Sequence, residues 1–521
     1  MRRMLPLLFA AALLLCACSG PVQEAPPTAA VEDEYPSVPA ARQTAQPAKW
    51  QDDGLFTLRC IAGDTLNPYA CSTENNRLLS SLLYENLVGV SPEFSPEPAL
   101  CTEWTTEDGG YSFELILRDG ARFSDGSEVR GWDVIYSINR AKEASSFYEE
   151  RLRSVAGVGL TGSGVLITLS SPQPGFPALL DVPVVKEGSA YRDQPTGSGP
   201  YMLQEDESGL YLIGNPYHPD CGKLPFQRIE LRDFASDSLI SAFSSGSMDF
   251  LISDPGVTVM PGLEGAVRRS VPTTVLHYLA LNPAAEQFSD PARRRLVNAV
   301  ISRGSLSGIL GGDAALLPLH PLLPYYDEGA AKAWLPTDIE SYCIEILTED
   351  YNGDGRLEYF RDGVPTDFTF RLLVCSGSDT ATAAARSIME DLDRIGIGVE
   401  LRMLNSEEFL RAVNRRDYDA YLASMRLTAD FDLTALYRNP GDDLLQRLAG
   451  DYISAPEVEK SAAASELCAY STESSCVIPL IFERRVYYRR PGGVREIAPT
   501  WTDPFRNIAD WTIEDETEEE S

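Results

Sequence analysis

From Phe368 onward the chain alternates between two hydrophobic periods, and this alternation constrains the fold more than any other feature. Phe368 to Val374 is apolar and β-favouring, and Ala381 to Ile395 follows helical spacing and stops at Gly396. Val399, Leu401 and Met403 alternate with polar residues, Glu407 to Arg415 is helical again, and Tyr418 to Leu422 returns to an extended pattern. Strands separated by helices of this length cannot be joined as hairpins. They predict an α/β unit with a largely parallel sheet. Upstream the pattern changes. Tyr111, Phe113, Leu115 and Leu117 alternate as a half-buried strand, Asp125-Gly126 marks a turn, and Val134 to Ala141 has helical spacing. Val165 to Leu169 is a further strand that ends before Pro172. No internal repeat is visible.

At 521 residues the chain is too long for one core and long enough for two or three domains. Its formal charge of −33 argues against nucleic-acid binding, because a phosphate backbone is repelled by such a surface. The same charge disfavours a polybasic hold on anionic lipid. The excess of carboxylates mildly favours cationic ligands.

The first residues are built differently. Arg2 and Arg3 precede an apolar run from Leu5 to Leu15, too short to span a bilayer and suited to an export signal. Leu15-Cys16-Ala17-Cys18 resembles a bacterial lipoprotein signal, which implies a signal peptide over 1–17 and a lipidated Cys18. A plain secretory signal is the alternative. The proline- and alanine-rich stretch that follows reads, with Cys18, as an anchor and linker over 18–54. The acidic residues 514–521 read as a solvated tail.

Short motifs that carry chemistry elsewhere do not carry it here. Gly157-Val158-Gly159-Leu160-Thr161-Gly162 matches a dinucleotide fingerprint, but a strand follows where a helix is needed, so it reads as a glycine-rich hairpin. Asp350, Asn352, Asp354 and Gly355 imitate a calcium loop, yet Arg361 stands where the bidentate Glu should be, so a polar turn is expected. His218, His277 and His320 lie apart, without partners at metal-ligand spacing, and read as structural. No hydrolase elbow, zinc-peptidase or nucleotide-loop motif is present. No cofactor or catalytic set is therefore expected. The eight cysteines beyond Cys18 read as buried small hydrophobes with one or two bridges, their pairing left open.

A set of ordered blocks is far more specific. It begins with Leu66-Asn67-Pro68 and Leu83-Tyr84-Glu85-Asn86-Leu87-Val88, then Asp108-Gly109-Gly110-Tyr111-Ser112-Phe113. Leu117-Arg118-Asp119-Gly120-Ala121-Arg122-Phe123-Ser124-Asp125-Gly126 and Asp133-Val134-Ile135-Tyr136-Ser137 follow. Further on come Gly197-Ser198-Gly199-Pro200-Tyr201, Asn215-Pro216-Tyr217, Gly246-Ser247-Met248-Asp249 and Tyr278-Leu279-Ala280-Leu281-Asn282. Together these resemble the family 5, oligopeptide-binding type of solute-binding protein from bacterial ABC importers. Ser198 stands where that family usually has Thr, His218 where Trp is common, and Gly131 where Ala often opens the helix. Most of the blocks are turns, caps and strand ends, which are scaffold rather than reacting groups.

The resemblance implies a two-lobed, periplasmic-binding-protein-like (type II) α/β fold with an extra subdomain on the first lobe. Lobe I would take 55–84, 196–284 and 486–513, the subdomain 85–195, and lobe II 285–485. It further implies a monomer, tethered outside the cytoplasmic membrane, that closes on a peptide and passes it to a permease driven by an ATPase. A peptide or pheromone sensor, or a binder of nickel chelates, haem or a glycan, would fit the same scaffold, and a secreted hydrolase is the rival from another class. By resemblance, Asp430 is the partner for a peptide amino group, Met425 lies where an aromatic platform is common, and Ser72, Thr73 and Glu74 form a cleft loop. Asn282, at a strand end, would face either ligand or hinge.

Overall fold

The structure is a computed structural model that describes residues 55–143, 146–253, 260, 262–263 and 265–513. Cys18, the signal and linker region and the acidic tail lie outside these residues. The alternating segment folds as its periods require. Strand Thr369–Cys375 runs parallel to Gly398–Leu404 on one side and to Ala420–Arg426 on the other. Helices Asp379–Asp393 and Ser406–Arg415 make the crossovers, each opened by a side-chain cap, from Ser378 and Asn405. Gly396, with φ +90°, turns the chain after the first helix, where a side chain would strike the carbonyl of Gly355.

These three strands form one end of an 11-stranded sheet. Its order runs 398–404, 369–375, 420–426, 267–281, 477–489, 250–252, 55–59, 228–232, 209–214, 201–206, with 312–314 also paired to 477–489. Two long members cross the middle, Val267–Leu281 and Val477–Arg489. They pair antiparallel twice, 267–272 with 484–489 and 276–280 with 477–482, and the register breaks between Pro272 and Leu276. Pro272 has no N–H to offer the ladder, and such a residue is tolerated in a sheet at an irregularity of this kind. The Thr273 hydroxyl spans the gap, donating to the Glu483 carbonyl at 2.7 Å and accepting from the Val275 amide at 3.1 Å.

Residues 101–169 add a separate antiparallel sheet in the order Cys101–Thr105, Ser112–Leu117, Val165–Leu169, Val155–Leu160, with helix Gly131–Ala141 alongside. The glycine-rich motif is the hairpin expected of it. Val155–Leu160 turns at Thr161–Gly164 and pairs back onto Val165–Leu169. The calcium-like segment is a turn, in which the Asp350 carboxylate accepts from the amides of Gly353, Asp354 and Gly355. All eight cysteines of the described residues are free thiols, six of them buried, so the one or two bridges expected are not formed. No described helix is long and apolar enough to cross a membrane.

Candidate functional site

The 420–426 strand and the loop after it face the segment that holds Glu74 and the 147–183 region, and this junction gathers most of the predicted site residues. Glu74 opens a short helix, Glu74–Leu79, whose N-cap is Thr73. Asp64 fixes that start. Its carboxylate accepts from the amides of Ser72 and Thr73 and from the Thr73 hydroxyl at 2.6 Å. Ser72 and Thr73 therefore position the helix, and Glu74 is the residue presented.

Three guanidinium groups converge on Glu74: Arg77 at 2.9 Å, Arg426 at 3.0 Å and Arg485 at 2.9 Å. Together they hold its carboxyl well below the usual carboxylate range, against the opposing effect of burial. Arg426 comes from the strand that also carries Met425, and Arg485 from the second long strand. Beside them Arg151 pairs with the buried Asp181, whose carboxyl is nonetheless pushed up by burial. Phe147 is the platform for this group, with the guanidinium carbons of Arg77, Arg151 and Arg426 lying 3.6, 4.8 and 5.4 Å from its ring centre. Next to it is a small, narrow cavity, partly open to solvent, lined among others by Glu74, Arg77, Phe147, Tyr148, Arg151 and Trp501.

Asp430 sits a few residues beyond Arg426 and is 8% exposed. Its partners are neutral: Gln173 Nε2 donates to Oδ2 at 2.6 Å, and the Thr428 hydroxyl donates to Oδ1 at 2.7 Å. Gln173 is itself held by Ser154, which donates to its Oε1 at 2.8 Å. Burial pushes the Asp430 carboxyl up despite these bonds and the more distant charge of Lys460. The other predicted residues sit differently. Met425 is half-buried against the core, across from Leu276. Asn282 spends its side chain on main chain, donating to the Tyr418 carbonyl at 2.9 Å and accepting from the Ala284 amide at 3.0 Å.

Sequence reasoning did not find Arg77, Arg151, Arg426, Arg485, Phe147 or Gln173. No spacing connects them; only the fold does. A second junction between the same regions is aromatic. His320 is 1% exposed and packs between Phe94 and Phe482, at ring-centre distances of 4.9 and 4.7 Å, with Phe431 adjoining.

Residues 95–441 match the family model for bacterial extracellular solute-binding proteins, family 5, middle region. The chain belongs to this family. Among curated relatives, the oligopeptide-binding protein AppA of Bacillus subtilis (strain 168) is 24% identical over 461 residues, covering 80% of this chain and 78% of its own length. The glutathione-binding protein GsiB of Escherichia coli (strain K12) is 23% identical over 366 residues, covering 66% and 68%. Solved structures share the fold. AppA from Bacillus subtilis in complex with a nonapeptide superposes with TM-score 0.59 at 17% identity, over 90% of this chain and all of that one. The unliganded open form of MppA, a periplasmic murein tripeptide binding protein, gives TM-score 0.70 at 16% identity, over 91% and 99%. The family 5 binding protein has the periplasmic-binding-protein architecture of these neighbours, a mixed α/β body about one large sheet.

Proposed function

We propose that this family 5 protein captures peptides, oligopeptides among them, outside the cytoplasmic membrane and delivers them to an ABC permease and its ATPase. It does so as a lipoprotein anchored through Cys18, and it acts by binding alone, with no cofactor and no chemical change to the cargo. In this reading residues 55–84, 196–284 and 486–513 form lobe I, 85–195 the added subdomain and 285–485 lobe II. The observation that carries it is the pair of long strands at the centre of the sheet. They are the continuous connection between the 55–59 side and the 369–426 side, and their ladder is interrupted at Pro272–Leu276. A sheet bends most readily where its hydrogen bonds are missing, so opening about this break would part Asp430 and the Arg426 strand from the Gln173 loop and the Glu74 helix that they touch here, and closure on a ligand would restore these contacts.

In the same reading Asp430 takes the peptide's amino group, because a buried carboxylate with only neutral partners gains most from a cation. Glu74 and Met425 border the bound chain, whereas Ser72, Thr73 and Asn282 hold the backbone around it. The names of AppA, GsiB and MppA support a peptide-like cargo. Small-angle scattering with calorimetry over a peptide panel tests the proposal. Contraction of the particle together with heat of binding is expected from at least one peptide class. Identical profiles and no heat across the panel would overturn it.

A further inference from the structure

We propose that the cavity beside Phe147 is a subsite for a carboxylate of the captured solute, held by Arg151 with Arg77, Arg426 and Arg485 behind it. The inference rests on the solute-capture reading and narrows it to a cargo with a free carboxylate, which the overall charge of −33 does not suggest.

Charge is the first observation. Four guanidinium groups meet here, and they pair with two carboxylates, Glu74 and Asp181. A third carboxyl, the buried Asp503, bonds Ser81 of the cavity wall. Guanidiniums still outnumber carboxyls in a buried place, where an unmatched charge is costly. Unused donors are the second. Arg151 Nη2, Arg426 Nε, Arg485 Nε and Trp501 Nε1 are all buried and have no hydrogen-bond partner. Arg151 is 9% exposed, Arg485 2% and Trp501 5%, and Arg151 and Trp501 line the cavity itself. Buried polar groups in folded proteins are nearly always satisfied, so several orphans in one spot mark a missing partner. That partner must accept hydrogen bonds and carry negative charge.

Geometry is the third. Phe147 lies against the guanidinium groups of Arg77 and Arg151, and Arg151 keeps Nη2 without a partner beside the cavity, where a planar carboxylate would match it. The space is narrow and suits a head group rather than a whole ligand. The solute would therefore place its acid here and extend toward the Asp430 loop, which follows Arg426 in the chain.

Titration calorimetry with three probes distinguishes the sources of such a group: trialanine, trialanine amide and citrate. The variant is Arg151→Met with Asp181→Asn, which removes the buried pair as a unit and strands neither charge. Its thermal unfolding is checked first, and Arg151→Lys serves as the conservative control. The free acid of the peptide, citrate, or both should bind the parent protein and lose roughly 10- to 100-fold in the double variant, with partial recovery in the lysine variant. Trialanine amide should bind the parent more weakly and ignore the substitution. Binding of citrate alone assigns the carboxylate to a free organic acid, and binding of trialanine alone to a peptide terminus; both support the subsite. Equal affinity for trialanine and its amide, unchanged by the double variant, overturns the subsite and leaves solute capture standing. Heat from none of the probes overturns the subsite too, and the scattering panel then decides separately on capture.

Discussion

Two carboxylates border the same junction and are treated in opposite ways. Glu74 is surrounded by three guanidiniums and held low, whereas Asp430 is buried among neutral donors and pushed up. Glu74 joins the first helix to both long-sheet partners, Arg426 and Arg485, so it acts as a strut. Asp430 is joined only to Gln173 and Thr428, which satisfy its oxygens without neutralising it. A protein that needed both acids only for stability would have no reason to leave one of them uncompensated. In the proposed reading the difference separates a group that organises the site from a group that takes the ligand. The largest expected effect follows directly. Glu74→Ala leaves three guanidiniums facing one another without their common partner, and should destabilise by about 3–5 kcal/mol, the range for breaking a buried ion pair. Urea denaturation reads this as a fall in midpoint. A midpoint within experimental scatter of the parent would reduce Glu74 to the same standing as Asp430.

Acid sharpens the contrast without any mutation. Burial against aromatic rings brings the His320 imidazole down from 6.5 to about 4, with Asp313 opposing and Arg484 reinforcing the shift. The unfolded chain therefore takes up this proton first as pH falls. Its contribution to stability is complete above about 6.5 and is lost progressively between 6.5 and 4. The full loss over that range amounts to about 3 kcal/mol. Glu74 adds its own loss as pH falls through the ordinary carboxylate range and below, because there the unfolded chain takes up a proton that the folded form refuses. Denaturation midpoints measured from pH 7 to 4 should fall in the parent and fall less in His320→Phe. A parallel fall in both would locate the acid sensitivity elsewhere.

The parts legible in the sequence were those written locally. The strand–helix–strand segment from Phe368, the Gly157–Gly164 hairpin and the Asp350 turn are all set by neighbours within a few residues, and all fold as read. The central pairing of 267–281 with 477–489 joins segments some 200 positions apart, and no period in either strand names the other. The arginine cluster is less legible still. Arg77, Arg151, Arg426 and Arg485 come from four elements, and each alone looks like an ordinary surface cation. Net charge says nothing of such a place, because −33 is a property of the whole surface while the buried cluster holds four guanidiniums. Of the residues proposed by resemblance, Glu74 and Asp430 lie where charges are buried, Ser72 and Thr73 donate to the Asp64 carboxylate, and Asn282 is occupied with main chain.

The smallest expected effect on stability is the one that most directly tests the division of labour. Asp430→Asn keeps groups able to bond Gln173 and Thr428 and removes the buried charge. Wherever the parent carries that charge it does so at a cost, so well above the ordinary carboxylate range the variant should be more stable by about 1 kcal/mol, within the range for a buried group relieved of imperfect solvation. The sign depends on pH. The folded-state carboxyl titrates above its unfolded value, so acid neutralises it in the parent as well, and the advantage of the variant should close as pH falls through that range. Binding should move the other way. A peptide with a free amino group should lose about 1.5–3 kcal/mol in affinity, the worth of a hydrogen bond to a charged group, whereas an N-acetylated peptide should be unaffected. Calorimetry with the two peptides, beside denaturation of the free proteins, reads both changes. A gain in stability with a loss of amine binding is the signature of a site group held at the expense of the fold; a loss of stability with intact binding would make Asp430 a second strut like Glu74.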